Sequence, residues 1–65
     1  MNKKIGEEYE AAVKKRNEIK GSLNKLLEDS PEDLYNVTIT RDRLAYWEGK
    51  TEGLKFALDH IKENS

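Results

Sequence analysis

From Ile5 to Leu26 the apolar positions recur at alternating steps of four and three: Ile5, Tyr9, Ala12, Arg16, Ile19, Leu23 and Leu26. That alternation is a heptad seam, the pattern of a helix that packs along its length against another. Val13 and Leu27 widen the seam into a core-facing stripe, while Glu8, Lys14, Glu18, Gly21 and Lys25 take the opposite side. The pattern predicts one helix over about residues 3–28, about 40 Å long at ~1.5 Å per residue. Gly21 is its weak point, because a mid-helix glycine costs about 1 kcal/mol against alanine. A bend or break would come near Gly21-Ser22.

Ser30-Pro31-Glu32-Asp33 interrupts the pattern. A capping serine before proline, followed by acids, reads as the start of a short helical turn that ends near Tyr35-Asn36. Val37-Thr38-Ile39-Thr40 is β-branched throughout and predicts an extended stretch, too short to form a sheet. The connector is therefore expected to span 29–39, with Val37 and Ile39 covering the open end of a helix pair. The second long helix is expected over about 40–63, with Thr40 as its N-cap and fraying over Glu63-Asn64-Ser65. Its seam is Leu44, Trp47, Thr51, Leu54, Leu58 and Ile61, again a heptad, with Glu48, Glu52, Lys55 and Asp59 on the polar side.

A further stripe, Tyr46, Gly49, Gly53, Phe56 and His60, runs well around this helix from the seam. Aromatic residues flanking two glycines do not suit a solvent face, and each glycine costs about 1 kcal/mol of helix propensity. Close approach by another backbone is the expected compensation. The second helix thus has two contacting faces: one for the first helix, the other for a second partner, most simply another copy of the chain.

Each seam has one interruption that matters, Arg16 in the first helix and Thr51 in the second. In a hairpin closing near Leu34 these two fall at one level, with Glu52 and Glu48 beside them to receive the guanidinium. A buried, unpaired arginine costs several kcal/mol, so one reading is a polar layer of Arg16, Thr51 and Glu52 that fixes register or oligomeric state. In the other reading Arg16 sits at the seam edge and extends its head to water.

Length and composition sharpen this picture. A chain of 65 residues forms one domain at most, and folding alone hides only about 60% of its unfolded surface. Scaffolds of this size usually need disulfides, a metal or a partner. The sequence has no cysteine, and His60 is its one histidine, so neither a disulfide framework nor a zinc site of the usual kind is expected. Oligomerisation or tight helix packing is left. The charges balance, with 12 basic and 13 acidic residues for a net −1, which argues against a general polyanion binder. The longest apolar run is four residues, Leu44-Ala45-Tyr46-Trp47, far short of the ~20 that span a bilayer. There is no signal-peptide core behind Met1-Asn2-Lys3-Lys4. The expectation is a cytoplasmic protein without membrane contact.

Several local motifs have functional readings. Gly49-Lys50-Thr51 has the last three residues of a phosphate loop, but Leu44 stands where that loop needs its first glycine, and no strand precedes it. No cofactor is expected. Lys14-Lys15-Arg16 and Arg41-Asp42-Arg43 are basic clusters, and Lys14, Lys15, Arg41 and Arg43 could contact nucleic-acid phosphates. Glu10, Glu18 and Asp42 interleave them, as on an ordinary solvated helix face. No Ser-His-Asp or Cys-His arrangement can be built around His60, and no catalytic residues are expected. The enzymatic alternative is a site between subunits supplied by Arg16, Arg41, Glu48 and Lys50.

Trp47-Glu48-Gly49 on a helical hairpin resembles the small secreted Trp-X-Gly effector family. There the tripeptide lies in the turn between helices; here the periodicity places it inside the second helix, with Trp47 on the seam. The stretch from Arg43 to Leu58, with its Tyr46-Trp47-Glu48-Gly49 and Gly53-Leu54 steps, resembles the C-terminal helix of short uncharacterised bacteriophage and prophage proteins. That resemblance covers about a quarter of the chain and defines no site residues. It implies a small accessory protein that binds a host or phage protein as an inhibitor, adaptor or regulator.

The sequence thus predicts an all-α antiparallel helical hairpin, one domain over 1–65, dimerising into a four-helix bundle. Tyr46, Trp47, Gly49, Gly53, Phe56 and His60 are its expected contact residues, because aromatic anchors dominate binding surfaces.

Overall fold

The chain folds as two long helices, α1 (Asn2–Asp29) and α2 (Leu34–Asn64). This computed structural model describes the backbone of residues 2–64 and the side chains of residues 4–61. The helices lie back to back as a rod 50 × 13 × 13 Å in Cα extent. Every position of the two predicted seams is buried or half-buried: Ile5, Tyr9, Ala12, Arg16, Ile19, Leu23 and Leu26 on α1, and Leu44, Trp47, Thr51, Leu54, Leu58 and Ile61 on α2. The antiparallel hairpin therefore follows from the two heptads zipping together. Val13 is half-buried, whereas Leu27 remains 40% exposed.

The connector is much shorter than the sequence predicts. Only residues 30–33 are non-helical, and 34–39 belong to α2. Val37 and Thr40 continue the seam backward from Leu44 in steps of three and four. Val37 is 6% exposed, and burying a valine is worth about 1.5 kcal/mol or more. That outweighs the few tenths of a kcal/mol by which each β-branched residue disfavours helix. Thr40, expected as an N-cap, is an interior seam residue.

The actual cap is Asp33. Its carboxylate accepts the backbone N–H of Asn36 at 3.3 Å and the Asn36 amide Nδ2 at 2.7 Å, while its carbonyl accepts the first helical bond from Val37 N–H at 3.0 Å. Ser30 and Pro31 serve the turn instead: the Ser30 carbonyl accepts Asp33 N–H at 3.0 Å, and proline's fixed φ suits the second position of such a turn. No described residue has a positive φ. Asp33→Ala is expected to cost about 1 kcal/mol, seen as a lower thermal midpoint, with Asp33→Asn retaining most of the stability.

α1 runs unbroken through Gly21, which is exposed. The packing on its other face therefore carries the helix across this position without a break. α2 continues to Asn64; of the segment expected to fray, Ser65 lies outside the described residues.

The single hairpin buries little. Ala12, Leu23 and Val37 are its buried apolar residues, and among the described residues no large side chain is completely enclosed. Its accessible surface is 5233 Å², against about 4,200 Å² for a globular monomer of this mass.

Candidate interaction surface

Asp29 closes α1 and Leu34 opens α2, so levels are matched by counting equally back and forward from the turn. Ala12 lies seventeen residues before Asp29, and Thr51 seventeen after Leu34. Among the described residues these are the two most enclosed side chains, at 1% and 3% exposure.

Arg16 is not at Thr51's level. It stands thirteen residues before Asp29 and so faces the level of Trp47, thirteen after Leu34. Its Nε and Nη2 donate to Asn17 Oδ1 at 3.3 and 3.1 Å at the exposed edge. The stem covers the seam while the head reaches outward, as in the second of the two sequence readings. Glu52 is exposed, and the buried Thr51 Oγ1 has no hydrogen-bond partner among the described residues. Within one hairpin Arg16, Thr51 and Glu52 do not join as a layer. The shorter connector is the reason: closing the turn before Leu34 shifts the register by several residues.

The expected contact residues divide between two faces. Trp47 is half-buried on the seam. Tyr46, Gly49, Gly53, Phe56 and His60 are all exposed, Tyr46 by 60% and Phe56 by 74%. Local ring contacts order this surface. Tyr46 meets Trp47 edge-on at 5.3 Å, and Phe56 stacks parallel to His60 at 6.4 Å. Lys50 folds its ammonium toward the Trp47 ring, 5.0 Å from its centre and 6.0 Å from that of Tyr46. A Cβ built on Gly49 or Gly53 would meet nothing within 4 Å. The hairpin by itself therefore has no need of either glycine, and together they leave a shallow gap between the Tyr46 and Phe56 rings.

The exposed stripe is longer than the sequence reading placed it. With residues 34–39 helical, Tyr35 (74% exposed) and Ile39 (37% exposed) join it through Asp42. Tyr35, Ile39, Asp42, Tyr46, Gly49, Gly53, Phe56 and His60 step by four and three throughout, a second heptad about 38 Å long on the outer side of α2. The signal is present in the same spacing counted back from Tyr46, but the β-branched run at 37–40 reads locally as extended and masks it.

The remaining motifs resolve locally. Gly49-Lys50-Thr51 is mid-helix, with Thr51 buried and Lys50 laid on the aromatic rings, so no phosphate loop exists there. Trp47-Glu48-Gly49 likewise lies inside α2 and not in the turn. Lys14, Lys15, Arg41 and Arg43 are exposed, as are the interleaved Glu10, Glu18 and Asp42. The two basic clusters lie on different helices at levels about 10 Å apart along the rod. Of the residues considered for an inter-subunit site, Arg16, Glu48 and Lys50 share neighbouring levels and Arg41 stands about two turns away. Beside them is an open groove of about 380 Å³ lined by Glu8, Ala11, Ala12, Lys15, Trp47 and Lys50. Among the described residues, no three His, Asp or Glu side chains gather to hold a metal ion, and no helix is long and apolar enough to cross a membrane.

No family model, curated protein or solved structure matches this chain.

Proposed function

We propose that the chain is a small non-catalytic protein-interaction module whose working surface is the outer face of α2. One observation supports this above the others. Tyr35, Tyr46 and Phe56, each more than half exposed, lie on one heptad stripe with two glycines that the hairpin itself does not require. Soluble monomers rarely leave such a run of rings uncovered, and aromatic residues on a rigid helix are effective binding anchors. The resemblance of the α2 sequence to small phage proteins gives the module its form: a cytoplasmic accessory protein that inhibits, adapts or regulates another protein by occupying its surface.

Affinity capture from the native host, followed by repetition with Tyr46→Glu/Phe56→Glu, tests this reading. Both side chains point outward, so the variant should keep its helical circular dichroism and lose its protein partners. Capture that survives the double substitution overturns it. So does binding confined to DNA, steep in salt and lost in Arg41→Ala/Arg43→Ala, which would establish the phosphate-contacting alternative.

A further inference from the structure

We infer that the occupant of the outer stripe is a second copy of the chain, with α2 packed antiparallel against α2 and the two-fold axis at the level of Thr51. The inference rests on the docking surface proposed above and names what covers it.

From Asp42 to His60 the stripe is self-complementary about that level, with Tyr35 and Ile39 beyond the paired part. Gly49 and Gly53 lie two residues to either side of Thr51, Tyr46 and Phe56 five, Asp42 and His60 nine. An antiparallel pair centred there sets each position against its counterpart: Gly49 of one copy beside Gly53 of the other, Tyr46 beside Phe56, Asp42 beside His60. An isologous contact requires this match of a surface with its own reverse. Antiparallel heptad seams also pair their two core positions across the interface in just this alternating way.

Each layer has a physical role. The glycine layers flank the axis and admit close backbone approach, which accounts for two glycines whose Cβ positions are open in the single chain. The aromatic layers come next and close over that gap. At each end a carboxylate meets an imidazole. A parallel pair would instead put Asp42 against its own copy, like charge on like charge. Lys50 does not obstruct the contact, because its ammonium is drawn back onto the Trp47 ring.

The areas agree. The hairpin exposes 5233 Å², about 1,000 Å² beyond the expectation for its mass. A standard stable interface hides about 800 Å² on each partner. Pairing along α2 gives a four-helix assembly in which α2 is sandwiched and α1 lies outside.

Sedimentation equilibrium of the full chain between about 1 and 100 µM, the range in which interfaces of this size begin to associate, provides the test. A reversible dimer is expected. Phe56→Glu should leave a folded monomer. Gly49→Ala/Gly53→Ala should weaken the dimer by about tenfold or more while raising the thermal midpoint of the dilute monomer, since the added methyls meet open space in one hairpin and backbone in two. Asp42→Lys and His60→Glu should each weaken association, and the two together should restore it, an outcome only the antiparallel register gives. A chain that stays monomeric throughout overturns the inference; if Phe56→Glu still abolishes host-protein capture, the docking surface survives and its occupant is foreign. A dimer indifferent to the glycine and Phe56 substitutions also overturns it, by placing the contact elsewhere.

Discussion

Leu23→Ala is expected to destabilise the hairpin by about 2–4 kcal/mol. Among the described residues Leu23 is one of three buried apolar side chains, at 8% exposure. It lies six residues before the end of α1, at the level of Thr40 between Val37 and Leu44. Truncation removes its transfer energy and leaves a gap that two rigid helices cannot close. A domain of this length has a total stability of order 3–10 kcal/mol at ~0.05–0.15 kcal/mol per residue, so the loss is a large share of the whole. Thermal unfolding followed by circular dichroism should show a midpoint lower by about 10 °C or more. Leu27→Ala, at a site 40% exposed, should cost well under half as much. Equal costs at the two sites would mean that the seam is not where the stability resides.

Thr51→Val is expected to act in the other direction, raising stability by about 1–2 kcal/mol. Thr51 is 3% exposed, and its Oγ1 has no hydrogen-bond partner among the described residues. An enclosed hydroxyl without a partner costs about 1–3 kcal/mol. Valine has nearly the same shape and a similar helix propensity, so the substitution removes the penalty and keeps the packing against the Ala12 level. Thr51→Ser, which keeps the hydroxyl and deletes the methyl, should destabilise. The sign of the Thr51→Val effect is decisive: a loss on introducing valine would show that the hydroxyl has a partner in the working assembly, and would return Thr51 to the role of a register-setting polar group. Chemical denaturation at fixed protein concentration separates the two outcomes, because mass action makes the midpoint of any dimer depend on concentration.

The sequence by itself determined the two helices, their antiparallel pairing and the membership of the seam. Heptad spacing is a direct readout of which side of a helix is sheltered, and all thirteen seam residues it named proved buried or half-buried. It also singled out Tyr46, Gly49, Gly53 and Phe56 as a second face, because glycines inside a helix contradict local propensity and so point to a contact.

Only the tertiary structure decided the turn. Local propensity favours extended backbone at Val37-Thr38-Ile39-Thr40, but the chance to bury Val37 against α1 carries more free energy than propensity does. Whether that chance exists depends on where the opposite helix stands. The register followed from the turn: once α2 begins at Leu34 and not at Thr40, counting from the turn sets Thr51 level with Ala12 and Arg16 level with Trp47. The outer stripe lengthened for the same reason, because a residue belongs to a helix face only after its backbone is helical. Spacing along a chain fixes which side of a helix is apolar. Which residues meet across two helices is set by the length of the link between them, and that length was a result of packing, not of local sequence.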